Sequence, residues 1–119
     1  MKILIPLVIA TNTLVLGSVV KFEPFKLSGY SFFTVTSAPN VDRVGTVHDR
    51  FATLITSATK SSDVSVKNVN KSWCVTLHDK VLVTVTKSDS QFHKTPAKKL
   101  AEKWAKNLSD KIEELTPLK

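Results

Sequence analysis

Two stretches of the chain alternate apolar and polar residues on either side of a pair of turn formers. They are LSGYSFFTVTS (residues 27–37), with Ser28-Gly29 at its turn, and LHDKVLVTVTK (residues 77–87), with His78-Asp79 at its turn. Period-two alternation is typical of strands with one buried face, and a tight turn between two such runs is typical of a hairpin. Each stretch is therefore predicted to form a β-hairpin.

A helical period follows each hairpin. Apolar residues recur at steps of three and four, as in an amphipathic helix. The first stripe is Val44, Val47, Phe51, Leu54, Ile55 and Ala58, and the second is Ala97, Leu100, Ala101, Trp104, Ala105, Leu108, Ile112 and Leu115. The first helix is predicted over about residues 42–59. The second is predicted to begin with Thr95 as N-cap and Pro96 at the first helical position.

The two halves of the chain resemble one another at an offset of 50 residues, which places Leu27 on Leu77 and the triplet TVT (34–36) on TVT (84–86). The predicted strand VSVKNV (64–69) falls on LVLGSV (14–19) in the same way. The sequence therefore predicts an α+β fold: an antiparallel sheet with two helices packed on one face, in a two-fold repeat of a strand-hairpin-helix unit with halves 21–60 and 64–115.

Strict alternation along the hairpins divides their side chains between two faces. The residues predicted to point at the helices are Ser31, Phe33, Val35, Val81, Val83 and Val85. Phe32 and Leu82 are then expected on the opposite, exposed face, where large apolar side chains can mark a docking surface. These two residues are candidate partner-binding residues.

The first twenty residues are mostly apolar. Lys2 is followed by ILIPLVIA, a polar triplet (residues 11–13) and LVLGSVV, which ends at Val20. A basic start, an apolar stretch and small residues near its end are typical of a secretory signal or signal anchor. The alternative is that part of the segment forms a first strand. Residues 21–119 are predicted to be one domain.

Composition and charge limit the classes of partner that the protein is expected to bind. The chain has 119 residues, the size of a single domain, and a net charge of +7. Only Arg43 and Arg50 among its 17 cations are arginines. Because arginine is the residue that reads phosphates and base edges, no specific nucleic-acid binding is expected. Four lysines on the polar side of the second helix are a candidate surface for anionic lipid or an acidic protein, with ion pairing to Glu102 as the alternative. They are Lys98, Lys99, Lys103 and Lys106.

Sequence motifs for catalysis, cofactors or metals do not occur in the chain. The single cysteine, Cys74, lies in the apolar run SWCVTL and is expected to be a buried structural thiol. The histidines at positions 48, 78 and 93 lie on different predicted segments. No catalytic, cofactor-binding or metal-binding residue is predicted, and we expect no enzymatic activity.

The segment VLVTVTKSDSQFHKTPAKKLAEKWAKNL (81–108), with GYSFFTVTS and HDRFATLI before it, resembles a small extracytoplasmic domain of cyanobacteria. That domain is the periplasmic N-terminal region of mechanosensitive-channel-like proteins and related short secreted proteins. Its hairpin ends in a TVT strand and its helix contains LAexWA, which here is residues 100–105. Lys87 and Ser88 depart from the pattern, since the family tends to be acidic there.

The resemblance implies a location outside the cytoplasm and no enzymatic activity. The resulting hypothesis is a non-catalytic interaction or sensory module in the periplasm or thylakoid lumen, associated with a membrane protein or an anionic membrane surface and anchored through residues 3–20. The alternative is a small cytosolic basic module that binds nucleic acid non-specifically.

Overall fold

The computed structural model describes residues 20–115, and the fold there is α+β, as predicted. The strands are β1 (Lys21–Leu27), β2 (Tyr30–Ser37), β3 (Val64–Val69), β4 (Ser72–Leu77) and β5 (Lys80–Thr84); the helices are α1 (Arg43–Leu54), α2 (Lys87–His93), α3 (Ala97–Ser109) and α4 (Ile112–Leu115). A short 3-10 helix, Ser61–Asp63, precedes β3. Residues 1–19, for which a signal, an anchor or a first strand is predicted, lie outside the described residues.

The strands pair as two antiparallel sheets, β1-β2 and β3-β4-β5, so the predicted single sheet is wrong. Both predicted hairpins are confirmed. Their turns, Ser28-Gly29 and His78-Asp79, and the Asn70-Lys71 turn between β3 and β4 have positive φ at both central residues. This conformation matches the right-handed twist of the strands that such a turn connects.

Side chains occupy the free edges of β2 and β5, where a further strand would otherwise pair. Carbonyl oxygens of alternate residues on both strands accept hydrogen bonds from helical side chains. The pairs on β2 are Asn107 Nδ2 with Phe32 O (2.9 Å), His93 Nε2 with Thr34 O (2.8 Å) and Arg43 Nη1 with Thr36 O (2.7 Å); on β5 they are Arg50 Nη1 with Leu82 O (3.4 Å) and Arg43 Nη2 with Thr84 O (2.7 Å). Because these acceptors already have donors, the two sheets stay separate.

A β-bulge changes the side-chain pattern of the first hairpin. The pairing passes from Phe25 with Phe33 to Lys26 with Ser31, which leaves Phe32 as an extra residue on β2. A bulge interrupts the alternation of side chains between the two faces of a strand. Phe32 is consequently buried beside Phe33, with 3% of its surface exposed, and the prediction that it lies on an open face is wrong.

The second hairpin contains the equivalent bulge. Its pairing passes from Val75 with Val83 to Thr76 with Val81, and Leu82 is the extra residue. Leu82 is completely buried, so its predicted exposure is wrong for the same reason. The two bulges lie at equivalent positions of the 50-residue offset. The two-fold repeat as a whole stays a prediction, because α2 has no helical counterpart in residues 38–42 and the segment matched to β3 lies outside the described residues.

The core lies between the two sheets and the two long helices. Helix α1 contacts β1, β2 and β5, and α3 contacts β2, β3 and β4. The Trp104 ring stacks on Phe33 with centroids 4.8 Å apart, and Phe51 meets Phe25 edge to face at 6.1 Å. Trp104 and Phe51, the large residues of the two predicted helix stripes, are both core residues.

Both predicted helix boundaries require correction. Helix α1 ends at Leu54, because Ile55 has an extended backbone. Helix α3 begins at Ala97 with Pro96 as its N-cap. The hydroxyl of Thr95 donates to the carbonyl of His93 at 2.9 Å, so Thr95 does not cap the helix.

Helix α2 was not predicted, although the sequence contains its start signal. Thr86 is the N-cap: its hydroxyl accepts from the backbone N–H of Asp89, and the Asp89 carboxylate accepts from the backbone N–H of Thr86. This is a capping box, in which two otherwise unpaired donors are satisfied reciprocally. Lys94 ends the helix in the left-handed conformation.

The side chain of Asp89 also joins α2 to both sheets. Its carboxylate lies 2.9 Å from Arg43 Nη1 and accepts from the N–H and the hydroxyl of Thr36 at 2.8 and 2.9 Å. The same guanidinium donates to Thr36 O on β2 and to Thr84 O on β5. One buried ion pair therefore holds the end of β2, the end of β5, the first turn of α1 and the first turn of α2 together.

Truncation of Trp104 tests the packing of α3. We expect Trp104→Ala to lower the free energy of unfolding by about 3–5 kcal/mol, because a fully buried aromatic side chain leaves a cavity. The adjacent exposed residue is the control, and Lys103→Ala should change stability by less than about 0.5 kcal/mol. Urea unfolding followed by circular dichroism measures both. A Trp104→Ala loss as small as that of the control would contradict the packing.

Removal of one partner tests the buried ion pair. Asp89→Ala should destabilise the protein by about 3–5 kcal/mol, because it leaves the Arg43 charge without its carboxylate. Asp110→Ala, which removes an exposed ion pair with Lys106, should cost less than about 1 kcal/mol.

A double-mutant cycle separates the pair from its surroundings. If the two charges interact as the structure describes, the change Asp89→Ala combined with Arg43→Met should cost clearly less than the sum of the two single changes. Additive losses would show that the two residues act independently.

Candidate functional site

Exposed apolar side chains gather at one end of the first hairpin. Phe22 on β1 and Phe92 on α2 stack with ring centroids 4.2 Å apart and an interplanar angle of 22°. They remain 53% and 42% exposed, and Val41, in the loop after β2, is 46% exposed. These three, here called the aromatic end, are three of the five large hydrophobic residues that are exposed within residues 20–115.

The pairing of β1 with β2 explains why these residues share one end. Lys21 pairs with Ser37, so the start of β1 lies beside the end of β2 and the loop that carries Val41. Asp89 bonds to Thr36 at the same end of β2 and brings α2 over it. The chain enters the described fold here, since Val20 directly precedes β1.

The elements of the aromatic end are basic. The strand β1, the helix α2 and its C-cap carry four lysines and two carboxylates. The lysines are Lys21, Lys26, Lys87 and Lys94. Both carboxylates have cationic partners: Glu23 lies 3.5 Å from Lys21, and Asp89 pairs with Arg43. Lys26 lies at the other end of β1, opposite Ser31, so Lys87 and Lys94 of α2 are the cations of this group that lie without an ion pair near the rings. The exposed carboxylate of Asp42, which follows Val41, caps α1 by accepting from the N–H of Gly45.

The four lysines predicted as a surface on α3 are all exposed. Lys98 Nζ lies 5.3 Å from the centre of the Trp73 ring, within cation–π range, and Lys106 pairs with Asp110 at 3.1 Å. Neither lysine is paired with Glu102, so the predicted ion pairing through that residue is wrong. Lys99 and Lys103 complete the exposed side of the helix.

The two predicted apolar contact residues do not contribute to a surface. Phe32 and Leu82 belong to the core, and Asn107 of α3 donates to the Phe32 carbonyl from the helix side. The aromatic end was missed because its residues are distant in sequence. The signal that could have pointed to it is Phe92, a large aromatic residue on the polar segment before α3.

A groove with a volume of about 380 Å³ lies between α1 and the edge of β5. Its lining consists of Asp49, Arg50, Thr53, Leu54, Lys80 and Val81. Arg50 also lines an adjoining hollow of about 210 Å³. The lining includes acidic, basic and apolar residues, and most of the surface they expose to the groove is apolar.

Thr59, His78 and Asp63 form the arrangement most similar to a catalytic constellation. Thr59 Oγ1 lies 2.8 Å from His78 Nε2, and His78 Nδ1 lies 3.7 Å from Asp63 Oδ1. A hydroxyl activated in this way must be reachable by a substrate. Thr59 is only 1% exposed and its oxygen also accepts from the N–H of Thr56 at 2.9 Å, so these contacts fasten the loop after α1 to the β4–β5 turn.

The remaining groups that could carry chemistry are in structural surroundings. Cys74 is buried, as predicted, with its sulfur 3.4 Å from the hydroxyl of Thr84. In the described range 20–115 no cluster of three or more histidine, cysteine and carboxylate side chains could hold a metal ion. None of the helices within these residues is long and apolar enough to cross a membrane.

One carboxyl group has a displaced pKa. The ammonium of Lys67 donates a hydrogen bond to Asp79 at 2.6 Å, and this bond together with its charge lowers the pKa of Asp79 below its ordinary value. Asp79 lies exposed on the β4–β5 turn. Its ion pair is therefore a surface contact between neighbouring hairpins rather than part of a site.

Comparison with known proteins adds a family but no activity. No curated protein and no solved structure matches the chain. The family model described as a domain of unknown function (DUF8459) matches residues 24–115, which includes the four described helices and both sheets except for residues 21–23 at the start of β1. The resemblance to mechanosensitive-channel-like proteins is untested by this match and stays a prediction. The chain belongs to the DUF8459 family.

Proposed function

We propose that this domain is a non-catalytic interaction module that works outside the cytoplasm, at a membrane surface or on a membrane protein. The observation that carries the proposal is the aromatic end. Large apolar side chains usually leave water when a protein folds, and a stacked, exposed aromatic pair is typical of a contact surface. This pair lies where the apolar residues 3–20 join the domain, which links the surface to the predicted signal or anchor.

The surroundings of the reactive side chains support a binding role rather than catalysis. Cys74 is buried, and the Thr59 hydroxyl is closed off by its own hydrogen bonds. Asp89, the most deeply buried carboxylate, is engaged by Arg43 and by backbone donors. Each of these groups has a structural partner that accounts for its position.

The lysines of α3 provide a second contact surface in this proposal. Lys99, Lys103 and Lys106 lie along one exposed side of the helix, with Lys98 at its border. A row of cations attracts anionic headgroups or an acidic protein over about 10 Å at moderate ionic strength.

The second candidate function is non-specific binding of nucleic acid. The observation in its favour is the same lysine surface together with the net charge of +7. Neither arginine is arranged to read bases, because Arg43 is engaged by Asp89 and two carbonyls and Arg50 lies against β5.

Location and partner capture test the first candidate. In cells that naturally contain the protein, we expect the full chain in the membrane fraction and digestible by protease added from the extracytoplasmic side. Crosslinking there should capture less partner when Lys99, Lys103 and Lys106 are changed to Glu. The matched control changes the exposed Lys60, Lys71 and Lys80 to Glu. Cytosolic, protease-protected protein would contradict the proposal, and equal capture by both variants would exclude the α3 surface.

Salt dependence tests the second candidate. Any binding to DNA or RNA should be weak, independent of sequence and lost by orders of magnitude between about 50 and 200 mM salt, because it rests on counterion release. Fluorescence anisotropy with two unrelated oligonucleotides measures this. A salt-tolerant, sequence-selective complex would show that the protein reads nucleic acid.

A further inference from the structure

We infer that the aromatic end binds the surface of an anionic lipid bilayer, with Phe22, Val41 and Phe92 against the headgroup region. This inference rests on the proposed function and names the partner of one surface. It concerns a different part of the molecule from the lysines of α3.

The first argument is the arrangement of the rings. Phe22 and Phe92 come from a strand and a helix 70 positions apart in the chain, yet they stack on each other outside the core. The stack keeps both rings in a fixed orientation while half of each remains in water. Aromatic side chains held at a surface in this way suit the boundary between headgroups and acyl chains.

The second argument is the place where the undescribed chain joins the fold. Residues 3–20 are predominantly apolar in sequence and lead directly into β1, two positions before Phe22. A segment that associates with a membrane as a signal anchor would bring this end of the hairpin closest to the bilayer. Tyr30, at the opposite end of the same hairpin, would then point away from it.

The third argument is charge. Lys87 and Lys94 are exposed on α2, the helix that carries Phe92, and the carboxylates of Glu23 and Asp89 on β1 and α2 have cationic partners. The one carboxylate beside Val41, that of Asp42, is engaged at the start of α1. Lysines beside an apolar patch favour membranes that contain anionic lipids, and salt weakens that attraction. The size of the patch argues against a second copy of the chain, because a stable protein interface involves roughly 20–30 residues on each side.

An environment-sensitive fluorophore on the full chain tests whether the aromatic end binds the bilayer. Val41→Cys and, separately, Tyr30→Cys are labelled with a nitrobenzoxadiazole group, while the buried Cys74 stays unlabelled under native conditions. Vesicles of phosphatidylcholine with phosphatidylglycerol should increase the emission at position 41 and shift it to shorter wavelength, and should leave position 30 unchanged. Vesicles of phosphatidylcholine alone, or added salt, should reduce the response.

A pair of matched variants then tests the rings. Phe22→Ser with Phe92→Ser should abolish the shift at position 41, because each phenylalanine loses the transfer of its ring, worth about tenfold in affinity. Tyr30→Ser with Val69→Ser, which removes two exposed apolar side chains elsewhere, should preserve it. Circular dichroism verifies that each variant is folded. If the ring variants do not fold, the comparison of labels at positions 41 and 30 in the protein with both rings still tests the inference.

Several outcomes would overturn the inference: no response at position 41, an equal response at position 30, or a shift that survives the loss of both rings. A shift that depends on protein concentration without vesicles would assign the surface to self-association instead. These results are separate from those on location. A cytosolic protein whose aromatic end still responds to anionic vesicles would contradict the proposed function alone. An exported protein without that response would contradict only the inferred lipid binding.

Discussion

The ion pair between Arg43 and Asp89 is the contact on which the rest of the fold depends. It is the point at which two separate sheets and two helices meet, and both carboxylate oxygens of Asp89 and both terminal nitrogens of Arg43 have hydrogen-bond partners. A charge removed from water is tolerated only when it is paired and hydrogen-bonded in this way. The pair also affects the protein surface, because Asp89 fixes the position of α2 and thereby places the exposed ring of Phe92 against that of Phe22.

At the free edges of β2 and β5, side chains supply the hydrogen-bond donors that a neighbouring strand would otherwise supply. In a larger sheet, the carbonyls of Phe32 and Thr34 would accept from a neighbouring strand, whereas here Asn107 and His93 supply the donors. Since a carbonyl oxygen only accepts, His93 must carry its proton on Nε2. Such bonds satisfy the edges and tie α2 and α3 to β2, so each helix is held by polar contacts as well as by the core.

A family match without an assigned activity makes the surface the main source of functional information. The described residues bury their cysteine, their central carboxylate and the best-placed hydroxyl, and they expose lysines and a stacked aromatic pair. Buried groups account for stability, whereas the exposed part of an apolar group contributes little to it, and a cluster of such groups calls for another explanation. This contrast is why the proposals concern contact with a membrane or a partner rather than a reaction.

The sequence by itself determined the features that arise from neighbouring residues. Turn formers at Ser28-Gly29 and His78-Asp79 give the hairpins, and the 3.6-residue period before and after Trp104 gives a buried helix stripe. The capping box of Thr86 and Asp89 was equally local and could have been found from its spacing. Helix ends were less predictable: the apolar period continues through Ile55 and Ala58, although the backbone is already extended at Ile55.

Only the tertiary structure decided which side chains are buried and which meet. Strict alternation places Phe32 and Leu82 on the exposed face, but a bulge at each position directs both side chains into the core. A bulge depends on the register of a strand with its partner, which the sequence of the strand alone does not give. Two of the partners of Arg43, Thr84 and Asp89, are likewise 41 and 46 positions away in sequence. Contacts between distant residues leave no periodic trace along the chain, and for that reason the aromatic end became visible only in the folded protein.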